Sequence, residues 1–424
     1  MSEASGSFMS GRRLHLIGVG GAGMSGLALV CAQLGAQVSG SDRADSSYIR
    51  RLRGAGIDAI VGHDVVNLPE AGEVVVSTAI GEDNPELAAA RERGLPILHR
   101  GELLAELCAA KRLIAVAGTH GKTTTTAMLV WALRSLGADP AFFVGGEVPG
   151  LGAGSAAANA GWGEGEWVVA EADESDASFL ALKPEIAVIT NIEMDHHARW
   201  GSVAELRAAF ADFAAGARVA EFDESSPGPA VLPLAVPGRH NRLNARAALA
   251  AVALAGLDVE SAAASLAAFP GVRRRLERKG ERAGTAVYDD YAHHPTEVRA
   301  ALSALRELGA GRLIAVFQPH LYSRTRAFAE QFGSALALAD EAVVLDVYAA
   351  REEPAGELEG VDGLLVARAA ADRMGGRRVT WAPTPERARE ALERRLGPGH
   401  VLVTIGAGDV FRLGEALLEG GEAA

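Results

Sequence analysis

The stretch RLIAVAG, residues 112–118, is apolar at five consecutive positions, ends on a glycine, and runs at once into the helical pattern TTTTAMLVWALRSLG. An apolar run without alternation suits a strand whose two faces are both covered, as in a parallel sheet packed between helices. The same rhythm recurs along the chain. LHLIG, AQVSGSD, EVVVSTAI and LPILH read as strands before Ala110, and WVVAEADES and IAVITNI read as strands of a second block. TAVYDDY, RLIAVFQPH, EAVVLDVY, RVTWA and HVLVTIGAGD read as strands of a third. Strands alternating with helices predict an α/β fold of parallel, doubly wound sheets, with ligand loops at the C-terminal ends of strands. The expected division is 1–110, 111–268 and 269–424, the second block closing after the helix NRLNARAALAAVALAGL.

Composition narrows the function. A formal net charge of −13 over 424 residues argues against a general nucleic-acid or anionic-membrane binder, so any phosphate must be held locally. No apolar run is long enough to span a bilayer, and the opening MSEASGSFMSGRR lacks a signal-peptide core and reads as a disordered leader. Cys31 and Cys108 both sit in apolar helical patterns, as expected of buried free thiols in a reducing cytoplasm.

Two glycine motifs follow strands. Gly18, Gly20 and Gly23 form G-x-G-x-x-G, with Asp42 closing the next strand. Such glycines let a pyrophosphate approach a helix N-terminus, where free N–H groups favour anions. The motif does not separate NAD from a UDP-sugar, and a tight turn without ligand would look the same. The second motif is Gly118-Thr119-His120-Gly121-Lys122-Thr123, which lacks the first glycine of the usual phosphate loop because Val116 stands there. Its placement between strand and helix is still that of a phosphate loop. Backbone N–H groups around Gly118 and Gly121 can face phosphate oxygens, Lys122 can reach them as a point charge, and Thr123 offers a hydroxyl to Mg²⁺. EADESD supplies Glu171 at the end of another strand, and TNIEMDHH supplies Asp195 and His196. Read separately, Glu171 is a helix-start charge and His196 a loop histidine; together they suit a nucleotide–metal site.

GVGGAGMSG, SGSD, STAI, AGTHGKTTTT, EADESD, TNIEMDH, GRHNRLNA, DDYAHHPTE, FQPH and GAGD occur in this order. Over nearly its whole length the chain resembles the Mur ligase family. DDYAHHPTE after GRHN carries the most specific part of the likeness.

The resemblance implies three domains: an N-terminal Rossmann-like domain, a central P-loop-type ATP-binding sheet and a C-terminal Rossmann-like domain. It implies a cytoplasmic ligase, a monomer or weak homodimer, that uses ATP and Mg²⁺ to join L-alanine to UDP-N-acetylmuramate through an acyl phosphate. No nucleic acid or membrane insertion is expected. The sugar nucleotide would lie at Gly18, Gly20, Gly21, Gly23, Met24, Ser25, Asp42 and Ser77. ATP would lie at Gly118, Thr119, His120, Gly121, Lys122, Thr123 and Thr124, with His240 and Asn241 at adenine, Asp290 at ribose and Arg275 at the phosphates. Thr123, Glu171 and His196 would hold Mg²⁺; Tyr291, His293 and Arg324 would meet alanine. Lys122, Glu171, His196, Arg275 and His293 would be catalytic.

Two departures stand out. Only about 35 residues separate Gly201 from Pro237, scarcely one βαβ unit, so the central domain is expected to be abbreviated. Leu321 in QPHLYSRTR stands where the family usually has an arginine near the amino acid carboxylate. These keep open a ligase of the same family for another amino acid or peptide, and a catalytically dead UDP-sugar-binding regulator. An NAD-dependent dehydrogenase built on the first motif would leave the second and third blocks unexplained.

Overall fold

The structure, a computed structural model, describes residues 8–152, 156–194, 199–221, 234–350 and 352–419. Its strands form three sheets, numbered here in chain order. The first holds β1 (Arg13–Ile17), β2 (Gln37–Asp42), β3 (Asp58–Val61), β4 (Glu73–Val76) and β5 (Ile97–His99), in the order β3-β2-β1-β4-β5 and parallel throughout. The second holds β6 (Arg112–Ala117), β7 (Ala141–Val148), β8 (Ala158–Gly161), β9 (Trp167–Glu171), β10 (Ile186–Ile189) and β11 (Arg218–Glu221). Its order is β11-β10-β6-β9-β7-β8, and only β8 runs antiparallel. The third holds β12 (Glu277–Arg282), β13 (Thr285–Asp290), β14 (Arg312–Phe317), β15 (Glu341–Val344), β16 (Arg378–Trp381) and β17 (His400–Ile405). Its order is β12-β13-β17-β14-β15-β16, with β12 antiparallel at the edge. The expected α/β architecture is therefore present in all three blocks. Strands absent from the sequence reading, β3, β7, β8, β11 and β12, lie at or next to sheet edges. Among the described residues no helix is long and apolar enough to cross a membrane.

The chain clusters into two compact units, Met1–Leu234 with Leu243–Pro270, and Ala235–Arg242 with Gly271–Ala424. The first unit contains two sheets because they share a core. Leu27, Cys31 and Leu107 of the first block are buried in one cluster with Phe143, Ala160 and Trp162 of the second. Polar contacts add to this seam: Arg51 pairs with Glu147 at 2.9 Å and donates to Asn159, whose amide donates to the Ala22 carbonyl at 2.6 Å. Cys31 and Cys108 are buried free thiols, and burial pushes the Cys31 thiol up to about 12. In the second unit apolar clusters line both faces of the third sheet, one around Leu302, Phe317 and Phe332, the other around Val316, Leu402 and Leu413.

The seam depends on a close approach at Gly26, inside the helix Ala22–Gln33. A Cβ there would lie 2.9 Å from the Ala160 Cβ and 3.3 Å from the Asn159 amide. Neither neighbour is the end of a long flexible chain. Helix propensity favours replacing a mid-helix glycine by up to about 1 kcal/mol, whereas overpacking a rigid contact costs about 1–3 kcal/mol. For a bulky residue the overpacking outweighs the gain in propensity. Gly26→Val is expected to lower stability by about 1–3 kcal/mol, seen as a lower urea midpoint. A midpoint at or above that of the parent protein would show that this contact is slack.

Candidate active site

The phosphate-loop motif lies where β6 meets the helix Lys122–Ser135. Gly121 caps that helix with φ +82°, and a side chain there would collide with the amide oxygen of Asn244. Glycine therefore answers both the backbone conformation and the space. The ladder sets Val116 of β6 opposite Glu171 of β9, and Ala117 opposite Ile189 of β10. The loop is strapped to the exit of β10. Thr119 N–H donates to the Asn191 carbonyl at 3.0 Å, and His120 N–H to the Asn191 side-chain oxygen at 2.9 Å. The Thr190 hydroxyl donates to the His120 carbonyl at 2.6 Å, and the His120 ring lies 2.9 Å from the Glu193 carboxylate. Thr124 is buried in the first helical turn.

Lys122, Thr123 and Glu171 come together here. The Thr123 hydroxyl donates to one Glu171 oxygen at 2.9 Å, and Gly145 N–H donates to the other at 2.7 Å. Lys122 Nζ donates to the Gly118 and Thr119 carbonyls and lies 2.8 Å from Glu174, which is only 1% exposed. Burial alone would lower the Lys122 pKa, but the charges of Glu174, Asp173 and Glu171 more than offset it and hold the ammonium protonated. Burial pushes the Glu174 carboxyl up to about 7 against the pull of Lys122. Burial would likewise raise Asp173, but Lys122 and Arg100 hold it well below the usual carboxylate range. Glu174 was not singled out from sequence, although it stands three residues after Glu171 in the same acidic stretch. Asp195 and His196 lie outside the described residues.

The first glycine motif forms the turn between β1 and the helix Ala22–Gln33. The N–H groups of Gly18 and Val19 donate to the Ser41 carbonyl, and Gly20 N–H donates to Asp42 at 2.9 Å. Asp42 thus braces the loop. Gly21 caps the helix without a side-chain hydrogen bond. Met24 is buried, and the Ser25 hydroxyl donates to the Ala22 carbonyl at 3.0 Å. The donors left for an anion are therefore backbone N–H groups of the first turn, not these two side chains. Ser77 follows β4, and its carbonyl accepts from Ile80, whose side chain faces Gly18. Gly23 faces Arg100.

The second unit holds the remaining residues. Arg275 lies 5.3 Å from the Tyr291 ring centre and 3.9 Å from Glu297. Both oxygens of buried Asp290 accept backbone bonds, from Leu276 at 2.8 Å and Ala292 at 2.7 Å, and burial pushes its carboxyl up to about 7. His240 and Asn241 open the helix Arg239–Leu254; burial pushes His240 down to about 4, and the Asn241 amide donates to the Pro237 carbonyl at 2.7 Å. Tyr291 and His293 form an edge contact, and His293 meets His320, which stacks on Tyr348 at 5.8 Å. Buried Arg324 reaches His320 at 3.4 Å. Arg326, further along the helix Tyr322–Leu336, is exposed and pairs with Glu357. Leu321 caps that helix with φ +68°. His320 and Tyr348 were missed from sequence; His320 stands inside FQPH, which carried the family likeness but no assigned role.

Three family models match the chain in series. "Mur ligase family, catalytic domain" covers residues 13–112, "Mur ligase middle domain" 116–222, and "Mur ligase, glutamate ligase domain" 274–408. UDP-N-acetylmuramate–L-alanine ligases of Kineococcus radiotolerans and Rubrobacter xylanophilus are 45% and 44% identical, over 96% of this chain and 95% and 99% of theirs. The crystal structure of the UDP-N-acetylmuramate–alanine ligase of Thermotoga maritima superimposes with a TM-score of 0.83 at 29% identity, covering 96% of this chain and 98% of that one. The alignment with the Rubrobacter protein runs to 451 positions, more than the 424 residues here, so that relative carries stretches without counterpart in this chain. The chain belongs to the Mur ligase family.

Proposed function

We propose that this protein joins L-alanine to UDP-N-acetylmuramate with hydrolysis of ATP, a step in peptidoglycan precursor synthesis in the cytoplasm. The observation that carries the reading is the convergence of Lys122, Thr123 and Glu171 at one sheet edge, in a chain whose whole-length relatives bear the name of that ligase. Residues 1–110 hold the sugar nucleotide, residues 111–268 hold ATP, and residues 269–424 bring alanine.

A carboxylate is a poor acyl donor, and ATP corrects this. A lactyl carboxylate oxygen attacks the γ-phosphorus, the bond to the β-phosphate oxygen breaks, and ADP leaves. The alanine nitrogen then attacks the acyl carbon, the C–O bond to phosphate breaks, and inorganic phosphate departs as the amine gives up its proton. Both partners in the first step are anions, so charge neutralisation is the main task. Lys122 supplies a fixed positive charge at the loop. Thr123 and Glu171 offer hydroxyl and carboxylate oxygens, the hard donors that Mg²⁺ takes, and His196 joins them by family resemblance. Held by these residues, Mg²⁺ would supply positive charge against the phosphate oxygens. By family resemblance Arg275 is assigned to the phosphates in the same sense. Tyr291, His293 and Arg324 surround the amino acid, with Arg324 on its carboxylate.

Leu321 favours keeping a second acceptor in view, because it removes an arginine expected beside that carboxylate. Phosphate release with UDP-N-acetylmuramate across a panel of amino acids decides between the two. Release with L-alanine alone supports the main reading; release only with another amino acid or peptide moves the assignment within the family, and none at all points to a dead sugar-nucleotide binder.

Three variants test the residue roles. Lys122→Ala is expected to abolish ligation and leave UDP-N-acetylmuramate affinity nearly intact by calorimetry, because the lysine belongs to the ATP loop. Parallel loss of sugar-nucleotide affinity would contradict the division of labour. A hydrogen bond to a charged group contributes about 1.5–3 kcal/mol, roughly 10- to 150-fold in affinity. Arg324→Ala should raise the KM for alanine by that factor with the KM for ATP almost unchanged, and Leu321→Arg should lower it. An alanine curve unmoved by Arg324→Ala would mean that the carboxylate is held elsewhere.

A further inference from the structure

Arg100 is an arginine for which the reaction scheme has so far no use. It opens the helix Arg100–Cys108 directly after β5, and its side chain leaves the first sheet for the second. One terminal nitrogen, Nη2, donates to Asp173 at 2.8 Å and to Asp176 at 2.9 Å, both in the acidic stretch that carries Glu171 and Glu174. No hydrogen bond to a described residue engages Nη1 or Nε. Nη1 lies beside Gly23: a Cβ built there would be 3.5 Å from it. Gly23 is in the first turn of the helix that opens the sugar-nucleotide loop. Burial would lower the Arg100 pKa, but Asp173 and Asp176 offset that and keep it charged.

Two features of this arrangement matter. A guanidinium has five donors on a rigid plane, so it can keep two carboxylates on one edge and present the other edge to an anion. The second feature is location. Arg100 stands between the anion-binding turn of Gly18–Gly23 and Asp173, whose charge acts on Lys122 of the ATP loop. An anion held at the Gly18–Gly23 turn on the side of Gly23 lies next to this edge. UDP-N-acetylmuramate carries such anions, in its diphosphate and in its lactyl carboxylate.

Resting on the sugar-nucleotide reading of the first loop, we infer that Arg100 is a further substrate-binding residue, donating from its open edge to an anionic oxygen of UDP-N-acetylmuramate while Asp173 and Asp176 hold its plane in place.

The test is calorimetric binding of UDP-N-acetylmuramate, UDP-N-acetylglucosamine and ATP to the full chain and to Arg100→Met, Arg100→Lys and Asp176→Asn. Arg100→Met should lose about 10- to 150-fold in affinity for UDP-N-acetylmuramate, with ATP affinity retained as the check on folding. Arg100→Lys should recover part of that loss, since it returns the charge but not the two-edged plane. Asp176→Asn should lose less than Arg100→Met, because Asp173 still holds the guanidinium and the open edge remains. Equal losses for both UDP-sugars place the diphosphate on Arg100. A loss confined to UDP-N-acetylmuramate places the lactyl carboxylate there, since the glucosamine sugar lacks it. Unchanged affinity in Arg100→Met, or a loss in Asp176→Asn as large as in Arg100→Met, overturns the inference and leaves Arg100 a clamp. Absence of UDP-N-acetylmuramate binding by the unmodified chain would sink the reading of the first loop itself.

Discussion

The site in the first unit depends on one backbone ladder, that of β6 between β9 and β10. Parallel pairing sets the ends of the three strands level, so Gly118, Glu171 and Thr190 leave the sheet at one edge. A one-residue slip would turn the strand's side chains to the opposite face. The apolar residues of β6 and β10 are almost wholly buried, which makes such a slip expensive. Core packing therefore specifies the register, and the register brings Thr123 within hydrogen-bond reach of Glu171. The chemistry at the sheet edge inherits its precision from apolar residues that touch no ligand.

Charge is the second constraint. Lys122 is half-buried, and an ammonium in that position needs partners. Two loop carbonyls and Glu174 supply them. The lysine is thus held in a fixed direction by protein groups alone. Glu174 and Asp173 sit side by side in sequence and respond in opposite ways. Asp173 has both Lys122 and Arg100 beside it and stays ionised, whereas burial dominates at Glu174. The two neighbours diverge because Lys122, Arg100 and the Ser175 N–H favour the charged form of Asp173, whereas burial and the charge of Asp173 disfavour that of Glu174.

How much of this was legible follows from where the information lies. Strands buried on both faces announce themselves as apolar runs, so β6, β9, β10, β14 and β17 could be read directly. ERKGER, which forms β12, has no apolar residue; it pairs antiparallel along the outer edge of β13, and no residue-by-residue pattern reveals that. AFFVGGEV, which forms β7, is broken by a glycine pair beside which the Glu171 carboxylate packs. Lys122, Thr123 and Glu171 could be grouped because their motifs end successive strands. Glu174 and Arg100 could not, because their importance lies in pairings 52 and 73 or more residues apart that only the sheet order creates. The roles of Met24 and Ser25 were obscured by a general limit of motif reading: a motif names positions, while the ligand meets whichever atoms, backbone or side chain, face it.

The position of Leu321 shows how the second unit separates scaffold from specificity. A φ of +68° is strained for any residue but glycine, so something other than the side chain must hold it. The backbone does so. Leu321 N–H donates to the Tyr348 carbonyl at 3.0 Å, and its own carbonyl accepts the N–H and the hydroxyl of Thr325 at 3.0 and 2.7 Å. None of these bonds involves the leucine side chain, so its identity is released from the fold. Arg324 is placed differently: it is 9% exposed, on the inner face of the helix Tyr322–Leu336, and in reach of His320, which stacks on Tyr348. The carbonyl that anchors Leu321 belongs to that same Tyr348. One tyrosine thus fixes the helix start through its backbone and the aromatic wall through its ring. A change of side chain at 321 leaves these backbone bonds and Arg324 in place, whereas a change of side chain at 348 removes the ring stacked on His320 and keeps the carbonyl that anchors Leu321.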